Sequence, residues 1–139
     1  MFNVKHSTKK VGQTGEDIAA DYLLKMGYKI LFRNYRTKIG EIDIIVRKSG
    51  KLIFVEVKSL FNQNSGILNI DEINSGKNEF KPEYHLNLRK INKLRSLAQM
   101  FAGKHFDLIK DDIGYQIDLI AVTLFAGKQS PKIDHFENV

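Results

Sequence analysis

Three acidic residues and one lysine alternate with apolar residues along two neighbouring segments of the chain. Glu41 and Asp43 lie in the first segment, and Glu56 and Lys58 lie in the second. Both segments are rich in β-branched residues, and a short polar stretch separates them, so they are predicted to form a β-hairpin. Side chains two positions apart on a strand share a face. The four polar side chains should therefore emerge on one side of the hairpin.

The turn of this hairpin sets which residues face each other. If Ser49 and Gly50 are its two central residues, Asp43 faces Glu56. In the same register, Glu41 faces Lys58. The opposite face would then hold apolar residues: Ile42, Ile44, Val55 and Val57.

Directly opposed carboxylates repel each other, so Asp43 opposite Glu56 calls for a compensating positive charge. Mg²⁺ would supply it, because this ion prefers oxygen ligands and keeps several positions for water and substrate phosphate. A neighbouring lysine could then stabilise charge that develops on a phosphate. The alternative is a solvated hairpin face on which Glu41 and Lys58 form an ordinary ion pair.

Length and composition restrict the class of protein. The 139 residues suit one domain, and there is no cysteine, which excludes disulfides, thiolate metal sites and cysteine nucleophiles. No apolar run approaches the roughly 20 residues of a membrane span, and the first residues do not form a secretory signal. We therefore expect a soluble cytoplasmic protein without a membrane partner.

The positive charge is unevenly distributed. The net charge is +6, and residues 1–59 carry 12 Lys and Arg against 6 Asp and Glu, whereas residues 60–139 carry 10 of each sign. Positive charge around an acidic centre suits a polyanionic substrate, whose phosphates the basic residues would bind. The alternative is that the excess only aids solubility.

The N-terminal part is predicted to be a basic arm followed by a helix. Residues 1–11, with Lys9 and Lys10, lack apolar periodicity, and the arm either touches phosphate or is a frayed terminus. Residues 14–26 have helical periodicity, which brings Glu16 to the edge of the apolar stripe. Glu16 either contributes to the site or interacts with the helix dipole.

The remaining segments complete an α/β fold. A strand at residues 28–35 should join the hairpin in an antiparallel meander with the first helix on one face. Residues 61–86 are predicted to be a long loop, residues 87–103 a second helix packed on the sheet, and residues 115–125 a last strand. A tail at residues 126–139 contains His135, which is expected at the surface. Asp118, within the last strand, has no assigned role.

Several familiar enzyme motifs are absent. The sequence has no glycine-rich phosphate loop, no Gly-x-Ser-x-Gly elbow and no His-Glu-x-x-His. The four histidines are scattered, so a histidine-rich zinc site is not expected. The group of carboxylates and lysine remains the principal candidate for chemistry.

An acid on one strand followed by Glu-x-Lys on the next resembles the PD-(D/E)xK nuclease superfamily. Within it, four stretches resemble the YraN family of small bacterial proteins: residues 15–19 (GEDIA), 27–36 (GYKILFRNYR), 40–45 (GEIDII) and 54–58 (FVEVK). Leu60 departs from the family, which usually has a basic residue there. YraN proteins are similar to archaeal Holliday junction resolvases. The resemblance implies a restriction-endonuclease-like α-β-β-β-α-β core with a mixed central sheet flanked by helices.

The resemblance also implies roles for individual residues. It makes Asp43 and Glu56 ligands of Mg²⁺ or Mn²⁺, with Glu16 as the helix carboxylate that assists them. It makes Lys58 the catalytic lysine and Lys90 a phosphate contact. The second helix is basic in its first half, although a solvated helix flank would have the same composition. Further residues expected to bind nucleic acid are Lys93, Arg36, Lys9 and Lys10.

Three functions follow from these observations. The leading hypothesis is a metal-dependent endonuclease that hydrolyses DNA, with branched or flapped DNA as candidate substrates and DNA favoured over RNA. The second is a nucleic-acid-binding module without turnover. The third is a protein-interaction scaffold on the same fold. The sequence leaves open whether the chain is a monomer or a homodimer.

Overall fold

The computed structural model describes residues 8–62, 88–108, 114–127 and 129–139, with residues 8–13 described by their backbone alone. The helices and strands follow the predicted order, with one strand added at the end. They are α1 (Thr8–Lys25), β1 (Lys29–Thr37), β2 (Gly40–Lys48), β3 (Lys51–Asn62), α2 (Leu88–Lys104), a 3₁₀ turn (Phe106–Leu108), β4 (Tyr115–Phe125) and β5 (Lys132–Phe136).

The strands form a mixed sheet in the order β1-β2-β3-β4-β5. The first three strands are an antiparallel meander, β3 and β4 are parallel, and β5 is antiparallel to β4. The connection from β3 to β4 contains α2, as a parallel pair requires a crossover. The α/β class and the α-β-β-β-α-β core expected from the sequence are confirmed.

Two apolar clusters cover the two faces of the sheet. On one face, Ala19, Ala20 and Leu23 of α1 pack on residues of all four strands β1–β4. On the other, Leu94, Leu97 and Phe101 of α2 pack on β2, β3 and β4. The sheet is therefore buried on both sides along its centre, and polar side chains there need a specific reason.

The hairpin turn is as predicted. Ser49 and Gly50 both have positive φ, at 52° and 77°, as a type I′ turn requires. The β2–β3 ladder runs from Lys48↔Lys51 to Ile44↔Val55, which is the predicted register. It ends one pair before Asp43 and Glu56.

Where that ladder ends, the predicted faces also change. Ile42 packs in the cluster under α2, whereas Ile44 packs under α1. The prediction that these two residues share a face was therefore wrong. Glu41 pairs with Arg36 of β1, and the ladder with β3 ends before it reaches Glu41 and Lys58. The physical reason is that β2 leaves regular pairing with β3 at this point, so strict alternation no longer applies.

The first helix begins earlier than predicted. It starts at Thr8, so residues 8–11, which we assigned to a basic arm, are helical, and residues 1–7 lie outside the described residues. Close packing on β3 outweighs the low helix propensity of glycine here. A Cβ on Gly15 would come within 1.7 Å of Ser59 Oγ. Met26, the last residue of the predicted helix, lies beyond α1 and is 50% exposed.

Both predicted irregular segments contain strand residues. Phe61 and Asn62, assigned to the long loop, belong to β3, and the rest of that loop lies outside the described residues. The tail contains β5, whose pairing with β4 the short polar sequence did not indicate.

Asp118 and His135 hold this last strand. Asp118 is fully buried, and its oxygens accept hydrogen bonds from Gln116, the Asn138 N–H and His135, the last at 2.8 Å. His135 also lies 3.1 Å from Tyr22 of α1, so its expected position at the surface was wrong. A carboxylate so well provided with donors is stable when buried. Asp118, through His135, therefore joins β4, β5 and α1.

Candidate functional site

A cleft of about 230 Å³ opens between the start of β2, the middle of β3 and the start of α2. Two leucines of α2, Leu94 and Leu97, form its apolar part. Charged side chains form the rest: Glu41, Asp43, Glu56, Lys90 and Lys93. The cleft thus lies where the predicted carboxylates meet the basic first half of the second helix.

Asp43 lies where β2 and β3 diverge. Its Oδ2 accepts a hydrogen bond of 2.8 Å from the Val57 N–H, which the ladder no longer uses. Burial, with the nearby carboxylates of Glu56 and Glu16, raises the pKa of Asp43 to about 8, although the Val57 hydrogen bond acts to lower it. Without a cation, this carboxyl group therefore holds a proton at neutral pH.

Glu56 lies on β3 and is only 7% exposed. Lys90 Nζ of α2 lies 2.5 Å from Glu56 Oε1, so an ammonium group neutralises this buried carboxylate. Burial alone would lower the pKa of Lys90, but the hydrogen bond to Glu56 and its charge outweigh burial and raise it. Lys90, expected to contact phosphate, thus forms an ion pair inside the cleft.

Lys58 follows Glu56 by two positions on β3 and is close to Lys90. A hydrogen bond with Lys90, burial and the repulsion between the two ammonium groups lower the pKa of Lys58. The charges of Glu56 and Asp43 act in the opposite direction. The charge on each of these four side chains therefore depends on the other three. They are Lys58, Lys90, Glu56 and Asp43.

A second group of carboxylates lies on the α1 side of Asp43. Oxygens of Glu16, Glu41 and Asp43 all lie within 4.8 Å of one another. Burial, followed by the charge of Glu41, raises the pKa of Glu16. The close approach of α1 to β3 at Gly15 brings Glu16 into this group.

Asn34 joins two of these carboxylates. With its amide nitrogen facing them, Asn34 donates to Glu16 Oε2 at 3.0 Å and to Glu41 Oε1 at 2.9 Å. It has a φ of 52°, a left-handed conformation that asparagine tolerates better than most residues. Sequence reasoning missed Asn34. It named Glu41 in the polar patch but did not count it among the ligands.

The chemistry of these donors fits a hard divalent cation. Asp43 lies between Glu56 on one side and Glu16 with Glu41 on the other, so carboxylate oxygens are the common ligand type. Mg²⁺ and Mn²⁺ take such oxygens, whereas softer metals prefer nitrogen or sulfur. Burial and repulsion by neighbouring carboxylates raise the pKa values of Asp43 and Glu16, and a bound cation would relieve that repulsion.

The other residues predicted to bind nucleic acid do not all lie in the cleft. Arg36 is largely exposed and its Nε lies 3.2 Å from Glu41 Oε2, at the rim of the acidic group. Lys93 lines the cleft and crosses Gly40 so closely that a Cβ there would lie 2.7 Å from Lys93 Cε. Lys9 and Lys10 lie in the first turns of α1, and their side chains are outside the described residues.

The raised pKa of Asp43 predicts how stability depends on pH. The folded protein binds this proton up to about pH 8, whereas the unfolded chain releases it near 3.8. The folded state therefore binds more protons in that window, and the stability of the metal-free protein should fall as pH rises through it.

Asp43→Asn cannot titrate and keeps an oxygen for the Val57 N–H. Melting in EDTA should show this variant gaining on the parent protein from about pH 5 to about pH 8. If the melting temperatures of Asp43→Asn and the parent protein change in parallel between about pH 5 and about pH 8, the raised pKa of Asp43 is contradicted.

The chain matches known proteins over most of its length. The model of a family described as "Uncharacterised protein family UPF0102" matches residues 15–122. A UPF0102 protein of Thermodesulfovibrio yellowstonii is 34% identical over 129 residues, covering 93% of this chain and 94% of the relative. One of Pseudothermotoga lettingae is 39% identical over 124 residues, covering 89% and 92%.

A solved structure is also similar, at a lower level. It is described as the structure of Pyrococcus furiosus SfsA in complex with Ca²⁺, with 18% identity and a TM-score of 0.35. The match covers 94% of this chain and 63% of that one, so this chain spans less than two thirds of it. Within the described residues, neither helix has the length and apolar character needed to cross a membrane.

Proposed function

This chain belongs to the uncharacterised protein family UPF0102, and we propose, from its cleft, that it is a divalent-metal-dependent endonuclease that hydrolyses DNA phosphodiester bonds. The observation that carries the proposal is that Asp43, Glu56 and Lys90 line one cleft, and that Lys58 lies beside Lys90 and interacts with both carboxylates. Carboxylates that gather around a cation, beside ammonium groups that bind phosphate, are what metal-assisted phosphodiester hydrolysis needs.

The residues of the cleft divide this work. A bound Mg²⁺ or Mn²⁺ would supply positive charge to the phosphate and lower the pKa of water. Asp43 and Glu56 would hold the cation, with Glu16 on the α1 side. Hydrolysis forms a bond from the water oxygen to phosphorus and breaks the bond to the leaving sugar oxygen, which takes a proton. Lys58, next to both carboxylates, is placed to stabilise the charge that grows on the phosphate oxygens.

DNA cleavage tests this proposal. The parent protein is incubated with labelled duplex, single-stranded, flapped and four-way DNA, in Mn²⁺ or in EDTA. We expect cleavage in Mn²⁺ and none in EDTA. Branched or flapped DNA should be cleaved in preference to plain duplex, and the matching RNA should be cleaved less. No cleavage of any substrate at any Mn²⁺ concentration would overturn the nuclease proposal.

A second function is favoured by one specific contact. The Lys90–Glu56 ion pair neutralises a proposed metal ligand, as expected if the cleft binds nucleic acid without turnover. In that case Lys93 and Arg36 would bind phosphates and the carboxylates would only limit where the backbone lies. Salt-dependent DNA binding without cleavage would favour this alternative, and absence of any DNA binding would favour a protein-interaction scaffold.

Binding to DNA should depend on salt. Because lysines release counterions from phosphates, the logarithm of the affinity should fall linearly with the logarithm of salt concentration. Lys93→Ala should reduce that slope by about one, since it removes one phosphate contact, and Lys90→Ala should act likewise. Lys104→Ala, at the other end of α2, is the matched control and should leave the slope unchanged. Affinity that ignores salt would contradict this picture.

The setting of this activity is also a proposal. DNA as substrate places the protein in the cytoplasm, without a membrane partner. The sheet has two outer strands, β1 and β5, at which a second copy could pair to form a homodimer. Light scattering across a concentration series would distinguish a monomer from a dimer.

A further inference from the structure

Lys90 and a metal ion compete for the same carboxylate. The Lys90 ammonium group contacts Glu56 Oε1 at 2.5 Å, and Glu56 is almost fully buried. A carboxylate oxygen that accepts this ion pair cannot also take a cation at the same position, because two positive charges would lie in contact. Glu56 is thus already neutralised within the protein.

We propose that Lys90 is an internal counter-ion of the metal site, which occupies Glu56 in the absence of metal and must move away before a cation binds there. The proposal rests on the proposed function for the identity of the ligand. It adds that Lys90 balances the charge of Glu56 in the metal-free cleft.

The surroundings of Lys90 allow such a movement. Lys90 lies in the first turn of α2 on a flexible four-carbon stem, and its side chain remains about a third exposed. Lys93, one turn further along, lines the same cleft, where phosphates are proposed to bind. A displaced Lys90 ammonium group can therefore move towards the cleft opening beside Lys93.

This exchange couples metal binding to DNA binding. A cation at Glu56 releases the Lys90 ammonium group, and a phosphate that binds this group removes it from Glu56. By linkage, metal then increases the affinity for DNA by the same factor by which DNA increases the affinity for metal. Lys90 acts here as a positioning residue, because it works through Glu56.

The experiment compares Lys90→Met with Lys93→Met by Mn²⁺ titration calorimetry without DNA. Both variants lose one positive charge from the same helix and cleft, but only Lys90 forms the ion pair with Glu56. We expect Lys90→Met to bind Mn²⁺ about tenfold more tightly than the parent protein, the factor for an ion pair of ordinary strength. Lys93→Met should change the affinity by no more than about threefold, through the loss of general charge.

A second readout uses stability. Without its counter-ion, Glu56 is a buried charge, so Lys90→Met should melt below the parent protein in EDTA. Mn²⁺ should then raise the melting temperature of Lys90→Met more than that of the parent protein or of Lys93→Met. This readout does not depend on cleavage.

The outcomes separate this inference from the proposed function. If the parent protein binds Mn²⁺ and Lys90→Met binds it no more tightly than Lys93→Met does, the competition is overturned and the metal site stands. If Lys90→Met alone binds Mn²⁺ measurably, the competition is supported in its strongest form. If no variant binds Mn²⁺, both are overturned.

Discussion

Replacing Asp43 or Glu56 should abolish DNA cleavage in Mn²⁺. Each change removes one of the two carboxylates that lie deepest in the cleft and are proposed to hold the cation. A site that has lost a principal ligand neither retains the metal nor fixes its position. In EDTA, DNA binding should persist after both changes, and it should become tighter where Glu56 is replaced, because that change removes an anionic group and releases Lys90.

The choice of substitution matters at Asp43. Asp43→Ala relieves repulsion with Glu56, but it also leaves the Val57 N–H without its acceptor, at a cost of about 1–3 kcal/mol. Asp43→Asn keeps that acceptor and removes only the ability to ionise. Glu56→Gln is the corresponding change on β3. Asp134→Asn, on an exposed ion pair of β5, is the matched control and should cleave like the parent protein.

Cleavage by the Asn and Gln variants at the parent rate would contradict the ligand assignment. Circular dichroism and melting show whether each variant is folded. If both isosteric variants unfold, the carboxylates are structural, and the non-catalytic binding module is the better account.

Replacing Lys58 with alanine should slow hydrolysis by on the order of a hundredfold or more while Mn²⁺ binding persists. That is the usual size of the effect when a group that stabilises transition-state charge is lost. Lys58 is near both Asp43 and Glu56 but is not a ligand, so the two readouts should separate. Single-turnover cleavage at saturating Mn²⁺ measures the rate, and calorimetry measures the metal.

Two further variants sharpen this test. Lys58→Arg keeps the charge but changes its shape and reach, so it should restore part of the rate. Lys51→Ala removes a lysine near the hairpin turn that donates to Gln116, far from the carboxylates along β3, and should cleave normally. Equal losses in Lys58→Ala and Lys51→Ala would indicate a general effect of charge. Loss of Mn²⁺ binding in Lys58→Ala would mean that this lysine maintains the site rather than acting in the reaction.

Local sequence rules predicted the centre of the fold well. Ser49 and Gly50 fixed the turn, the turn fixed the register, and the register brought Asp43 and Glu56 into one cleft. This reasoning succeeded because each step depends on neighbours in the chain. The family resemblance supplied roles for Glu16, Lys58 and Lys90, and the structure places all three residues at or beside the same site.

What could not be predicted depends on contacts between distant segments. The ladder between β2 and β3 ends before Asp43, whose carboxylate accepts the Val57 N–H, and alternation alone cannot indicate this. The burial of His135 requires Asp118 and Tyr22, both far away in sequence. Asn34 became a site residue only when α1 brought Glu16 next to Glu41.

The central claim is that this cleft binds a hard divalent cation through Asp43 and Glu56. Calorimetric titration of Mn²⁺ into the parent protein and into Asp43→Asn, at the same pH and without DNA, tests it most directly. We predict a saturable signal for the parent protein, which excess Mg²⁺ reduces and Asp43→Asn lacks, although that variant is folded. An identical Mn²⁺ isotherm for the two proteins, or none for either the folded parent protein or the folded Lys90→Met variant, would contradict it.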